Sequence, residues 1–169
     1  MTAVRAFTDL QCWQRARQWS KDIFHLTRRD PFAQDRRLVW QINDSSASVM
    51  ANIAEGFGRG TQNEFVLFLG YAIGSLDETQ SHLCAAYDRE YLDKTTFSGL
   101  FREGTSIRKL TVAFLRSMIM PRGGVKTAAK PPDFSNQVWE IYERVTGNPR
   151  PDHAPAPRAK PSRNDEPPL

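Results

Sequence analysis

The chain has 169 residues, enough for one domain with an appendage, and its 23 Lys and Arg against 19 Asp and Glu leave a formal charge of +4. That mildly basic balance is compatible with nucleic-acid contact but far from a polybasic arm. No apolar run approaches the ~18–20 residues needed to span a bilayer. No leader-type segment opens the chain, and Cys12 and Cys84 stand far apart, so a cytoplasmic protein with reduced thiols is expected and no membrane partner.

The first predicted element opens at Thr8-Asp9-Leu10-Gln11, which has the form of a capping box with Thr8 as acceptor. Leu10, Trp13, Ala16, Ser20, Ile23 and Thr27 then recur at helical steps and leave Arg15, Lys21 and Asp22 outside. Pro31 is expected to end this helix. A second stripe runs through Leu38, Ile42, Ser45, Val49 and Ile53, with Gly56 and Gly58 as its stop signals. The small residues at Ser45-Ser46-Ala47-Ser48 predict a close helix crossing. Thr61-Gln62-Asn63-Glu64 reads as a second capping box, and Phe65, Phe68, Leu69, Ala72, Leu76, Thr79, Leu83 and Ala86 form the third stripe. Gly70 and Gly74, one turn apart inside that helix, cost about 0.5–1 kcal/mol each relative to alanine. A packing role is therefore expected for them, with the Ser45–Ser48 patch as a plausible partner. The fourth helix starts near Asp93 or Thr95 and uses Leu100, Ile107, Leu110, Phe114, Leu115 and Met118. Four such helices with short connections give an all-α, antiparallel up-and-down four-helix bundle over residues 1–120.

Ten of the eleven prolines lie at or beyond Pro121, so the composition changes sharply there. Residues 121–132 read as a linker and 147–169 as a disordered tail, because little apolar surface offsets the entropy of ordering. Between them, residues 133–146 form a short amphipathic helix. Phe134, Val138, Ile141, Tyr142 and Val145 share its apolar face, Trp139 adds a further aromatic, Asp133 is a candidate cap and Gly147 a stop. Such a helix is marginal alone. It either docks on its own bundle or serves as a helix-in-groove ligand for a partner, through Phe134, Val138, Trp139, Ile141 and Tyr142.

Little in the chain points to catalysis. His25, His82 and His153 have no metal-ligand spacing, and there is no CxxC or HExxH. No catalytic residue, metal or cofactor is assigned. Gly56-Phe57-Gly58-Arg59-Gly60 lacks the Lys-Ser/Thr of a phosphate loop and reads as a helix–helix turn, with Arg59 either paired to Glu55 or turned toward phosphate. Asn52 and Glu55 lie on or beside the second stripe and Glu78 on the third helix. Each has a structural reading, a hydrogen-bond network fixing register and turn, and a binding one.

The run Asn52-Ile53-Ala54-Glu55-Gly56-Phe57-Gly58-Arg59 carries a resemblance. With it go Phe7-x-x-Leu10-x-x-Trp13-x-x-Ala16, Gln41-Ile42 and Phe68-Leu69-x-x-Ala72-x-Gly74-Ser75-Leu76-x-Glu78. In order and spacing these resemble the proteins encoded in intervening sequences of bacterial 23S ribosomal RNA genes. Relatives of that family are the Avd accessory proteins of diversity-generating retroelements. The resemblance covers roughly residues 7–120. It implies a four-helix bundle, assembly into a barrel-shaped homopentamer, and, from the retroelement branch, binding of RNA or DNA with low sequence specificity beside a reverse transcriptase. One departure stands out. Many members place two basic residues directly after Gln-Ile, where this chain has Asn43-Asp44.

Arginines elsewhere could supply the basic surface: Arg15 and Arg17, Arg28 and Arg29, Arg36 and Arg37, and Arg59. Arg28, Arg29, Arg36 and Arg37 bracket the first interhelical turn, where Asp30 and Asp35 could partly neutralise them. Two functions follow: a non-catalytic, ring-forming accessory protein that holds nucleic acid through arginine clusters, or a protein-interaction scaffold whose contact element is the 134–145 helix.

Overall fold

The computed structural model describes residues 4–119 and 135–150. Helices α1 (Gln11–Leu26), α2 (Arg36–Gly58), α3 (Gln62–Asp88), α4 (Lys94–Ile119) and α5 (Asn136–Thr146) account for nearly all of them, with 3-10 turns at Phe7–Asp9 and Phe32–Gln34. No strand occurs among the described residues. The expected linker, Asp133, Phe134, and the expected tail beyond residue 150 lie outside them.

The first four helices form the expected antiparallel bundle, as their side-chain pairings show. Along α1 and α2, Ser20 meets Ser46 and the later Thr27 meets the earlier Asn43. Between α2 and α3, Ser45 meets Thr79 whereas Gly56 faces Phe68. Gln80 and Asp77 of α3 reach Thr105 and Arg108 of α4. Arg15 and Trp19 of α1 close the ring on Glu103 and Leu100 of α4. In each pair the order reverses.

Helix starts follow local chemistry. Thr61 caps α3 by accepting from the Glu64 amide, and its hydroxyl donates to the Glu64 carboxylate, so the second box forms only in its N-cap half. Asp93 caps α4 through the Thr96 amide at 2.9 Å. The first box does not form. Asp9 instead folds its carboxylate back onto the Arg5 and Ala6 amides, both at 2.9 Å, and makes a 3-10 turn before α1 begins at Gln11. Pro31 is not the end of α1 either. The helix stops at Leu26, and the Thr27 hydroxyl donates to the Phe24 carbonyl.

The core is built on the expected stripes and extends beyond them. Leu38, Ile42, Ser45, Val49 and Ile53 are all buried, as are Leu69, Ala72, Leu76, Thr79, Leu83 and Ala86. Cys12, Trp19, Leu26, Val66 and Ile73 are buried as well, although they lie off those stripes. Trp19 is the largest of them. Its indole N–H donates to the Leu100 carbonyl at 3.0 Å, and its ring comes within 2.7 Å of where a Gly104 side chain would begin. Glycine at 104 is thus a site of close approach between α1 and α4.

The other glycines divide differently from expectation. Gly56 lies inside α2, buried against Phe65 and Phe68, and Gly58 is the last residue of the helix. The turn itself is made by Gly60, whose φ of +76° an L side chain rarely adopts. Gly70 and Gly74 do not serve the small-residue patch of α2. Ser45 of that patch hydrogen-bonds Thr79 (2.9 Å), Gly70 faces Ile141 of α5, and Gly74 is exposed with nothing against it.

That Gly70 contact settles where α5 sits. Ser135, rather than Asp133, caps the helix through the Val138 amide, and Gly147 ends it in the left-handed conformation, as expected. Val138, Trp139, Ile141, Tyr142 and Val145 are buried against α3 and α4, and Arg116 of α4 donates to the Thr146 carbonyl at 3.1 Å. Of the two alternatives for this helix, docking in cis is the one observed. Val138, Trp139, Ile141 and Tyr142 are covered by their own bundle, so their reading as a partner-facing surface is corrected. The apolar face had two possible sinks, and a groove floored by Gly70 is the nearer one.

Candidate nucleic-acid interface

The seven arginines proposed as phosphate contacts separate into two groups according to their partners. Arg15 is half-buried and bound through two nitrogens to Glu103, at 2.8 and 2.7 Å. That bidentate bond, more than simple proximity, raises its pKa further. Arg59 is engaged by Glu55 one turn back and lies 3.7 Å from Glu64, with its guanidinium 5.1 Å over the Phe68 ring. Of the two readings of Arg59, pairing to Glu55 is the one realised. Both arginines hold helices and turns together and present little free charge, so their assignment to nucleic acid is corrected.

Arg28, Arg29, Arg36 and Arg37 are different. All four are exposed and make no ion pair among the described residues. Arg28 and Arg29 follow the end of α1, and Arg36 and Arg37 are the first two residues of α2. Asp35 does not neutralise them. Its carboxylate accepts from the Leu38 amide at 3.1 Å as the cap of α2, and its other oxygen accepts from Arg89 and from the Tyr91 hydroxyl. Arg17 is exposed on α1, 5.8 Å over the Trp13 ring. It stands roughly 16 Å up the helix from Arg28, by the rise per residue.

The Asp35 carboxyl is held below its usual 3.8, first by the Leu38 amide and then by Arg89 and Tyr91. Because the folded value is the lower one, its contribution to stability is present above pH 3.8 and lost as pH falls through the folded value. Replacing Asp35 with alanine is expected to lower stability by about 1 kcal/mol at neutral pH. The deficit should close in acid, which urea midpoints of parent and variant at neutral and strongly acidic pH would show.

Two aromatic side chains that the stripes leave out belong to the same corner. Phe24 of α1 is 48% exposed and Trp40 of α2 is 68% exposed, although the other three tryptophans are buried at 9% or less. Phe24 and Trp40 line one surface groove of about 420 Å³ with Ala33, Arg36, Val39, Asn43 and Asp44. The Arg28 guanidinium lies 5.6 Å over the Phe24 ring. A sequence signal existed for both: Phe24 and Arg28, and Arg36 and Trp40, are each four residues apart. Asn43 turns inward, its amide donating to Thr27 (3.0 Å) and to the Val39 carbonyl (2.7 Å), while Asp44 is exposed.

The motif residues Asn52, Glu55 and Glu78 do not form the expected network. Asn52 makes no side-chain hydrogen bond among the described residues, Glu55 goes to Arg59, and Glu78 is exposed 3.6 Å from His82. Asn52, Gly74 and Glu78 instead line a second, more polar groove with Tyr71 and Arg108. No cluster of three or more His, Cys, Asp or Glu fit to hold a metal occurs among the described residues. None of the described helices is long and apolar enough to cross a membrane.

Fold and surface together define a small helical bundle with four exposed, unpaired arginines at one interhelical corner, beside the exposed Phe24 and Trp40 side chains. The family model of the 23S rRNA-intervening sequence protein matches residues 8–113, and the chain belongs to that family. No curated protein matches the chain.

Proposed function

We propose that this protein is a non-catalytic, cytoplasmic accessory protein that binds RNA through the corner formed by Arg28, Arg29, Arg36 and Arg37. The observation that carries the reading is that four exposed guanidinium groups with no carboxylate partner among the described residues cluster at one interhelical turn, whereas Arg15, Arg59, Arg89 and Arg108 each have one. Unpaired guanidinium groups suit phosphate, with their fixed fork of donors. The family's description ties it to intervening sequences of 23S rRNA, which supports RNA over DNA. The resemblance to ring-forming relatives supports a homo-oligomer, a pentamer in those relatives, with a reverse transcriptase or a structured RNA as companion. In a ring, each copy of a modest cluster adds to one multivalent surface.

Fluorescence anisotropy with a labelled structured RNA, titrated from low to physiological salt, tests this reading. Affinity is expected to fall steeply as salt rises, because bound arginines release condensed counterions. The same sample in light scattering should show a mass several times that of one chain. Salt-independent affinity, or no binding at the lowest salt, would remove the arginine corner from the account.

A further inference from the structure

We propose that the exposed faces of Trp40 and Phe24 form a stacking platform for unpaired nucleobases, so that the arginine corner selects single-stranded RNA over duplex. The inference rests on the RNA-binding reading and adds the class of strand.

Single exposed aromatics are ordinary. Here two of them share a groove of about 420 Å³, and one is a tryptophan left 68% exposed. A surface for single strands combines cations that follow the backbone with aromatic faces on which bases stack. Both components are present. Arg36 stands one helical turn before Trp40, Arg28 lies 5.6 Å over the Phe24 ring, and Arg29 and Arg37 adjoin them in sequence. A duplex keeps its base faces inside the stack, so it could use the arginines but not the rings.

The acidic residue in the groove points the same way. Asp44 would repel a phosphate lying over Trp40. A base there meets no such penalty, since its amino and imino groups can donate to Asp44. Asn43 uses its amide nitrogen on Thr27 and Val39, which leaves its oxygen as a further acceptor at the same wall. The pair Asn43-Asp44 is therefore compatible with bases over the groove and phosphates at its arginine rim. A neighbouring copy in a ring would meet this patch with a different surface, so it is the competing occupant that dilution distinguishes.

The test uses the full chain and two probes: a labelled unstructured RNA of about 20 nucleotides, long enough for a single site, and the same strand annealed to its complement. Anisotropy at one salt concentration is expected to show the single strand bound about tenfold more tightly, the scale of one stacked base. Trp40→Ala should remove that difference and leave duplex affinity unchanged, while Trp40→Phe should keep most of it. Tryptophan emission should be quenched by the single strand in the parent and much less in Trp40→Ala. Equal affinity for the two probes in the parent would overturn the platform while leaving the arginine corner in place. So would a preference that survives loss of both Trp40 and Phe24. Absence of binding to either probe at low salt would remove both readings. A shift of Trp40 emission on diluting the protein without RNA would assign the surface to a second copy and overturn the inference.

Discussion

Replacing Arg28, Arg29, Arg36 and Arg37 together with serine is expected to weaken RNA binding by roughly 10²–10³-fold near physiological salt. The size follows from counterion release. Each phosphate contact on a single strand contributes about 0.7 to the slope of log affinity against log salt, so four contacts account for a slope change of roughly 3. The loss should therefore shrink as salt rises and nearly vanish near 1 M. Fold stability should change little, since none of the four makes an ion pair among the described residues. Arg15→Ser gives the contrast: its partner is Glu103, so it should leave the salt slope intact and loosen the contact of α1 with α4. Anisotropy titrations at several salt concentrations check both. A quadruple variant with the parent's slope would show that the corner does not meet phosphate.

Trp19→Ala is expected to destabilise the bundle by about 3–5 kcal/mol, the range for removing a fully buried tryptophan. Trp19 has no solvent exposure, donates a 3.0 Å hydrogen bond to the Leu100 carbonyl, and fills the space left by Gly104. Truncation would remove all three at once: a large apolar surface, the partner of a backbone carbonyl, and the ring that packs with Gln80 against Gly104. Collapse around the cavity is opposed by the fact that the facing residue is already glycine. Trp19→Phe should lose less, keeping most of the ring while giving up the hydrogen bond. Urea unfolding followed by helical circular dichroism, at one protein concentration because self-association shifts midpoints, would measure both. A loss below about 1 kcal/mol for the alanine variant would mean the α1–α4 seam can repack.

The contrast between these two substitutions reflects what each residue does in the fold. Trp19 was not on the predicted stripe of α1, because a stripe drawn through Trp13, Ala16, Ser20 and Ile23 describes one contact face. In the bundle α1 touches both α2 and α4, and Trp19 lies on the α4 side. Val66 and Ile73 were passed over for the same reason, since α3 meets α2, α4 and α5. Helical periodicity finds the first buried face of a helix well and the second poorly.

The sequence by itself determined the helical class, the four bundle helices, the Thr61 and Asp93 starts, the Gly147 stop and the family. All of these depend on signals within a few residues: a side chain that accepts a nearby amide, a residue that tolerates positive φ, and apolar spacing near 3.6. It also singled out Arg28, Arg29, Arg36 and Arg37 as a cluster at the first interhelical turn. Tertiary structure alone decided which arginines stay unpaired, because Glu103 lies 88 positions from Arg15 and Asp35 is drawn away by Arg89, 54 positions on. It decided, too, that α5 folds back onto Gly70, and that Phe24 and Trp40, on different helices, share one groove. Ion pairing, docking and exposure depend on which surfaces meet, and local spacing carries no record of that.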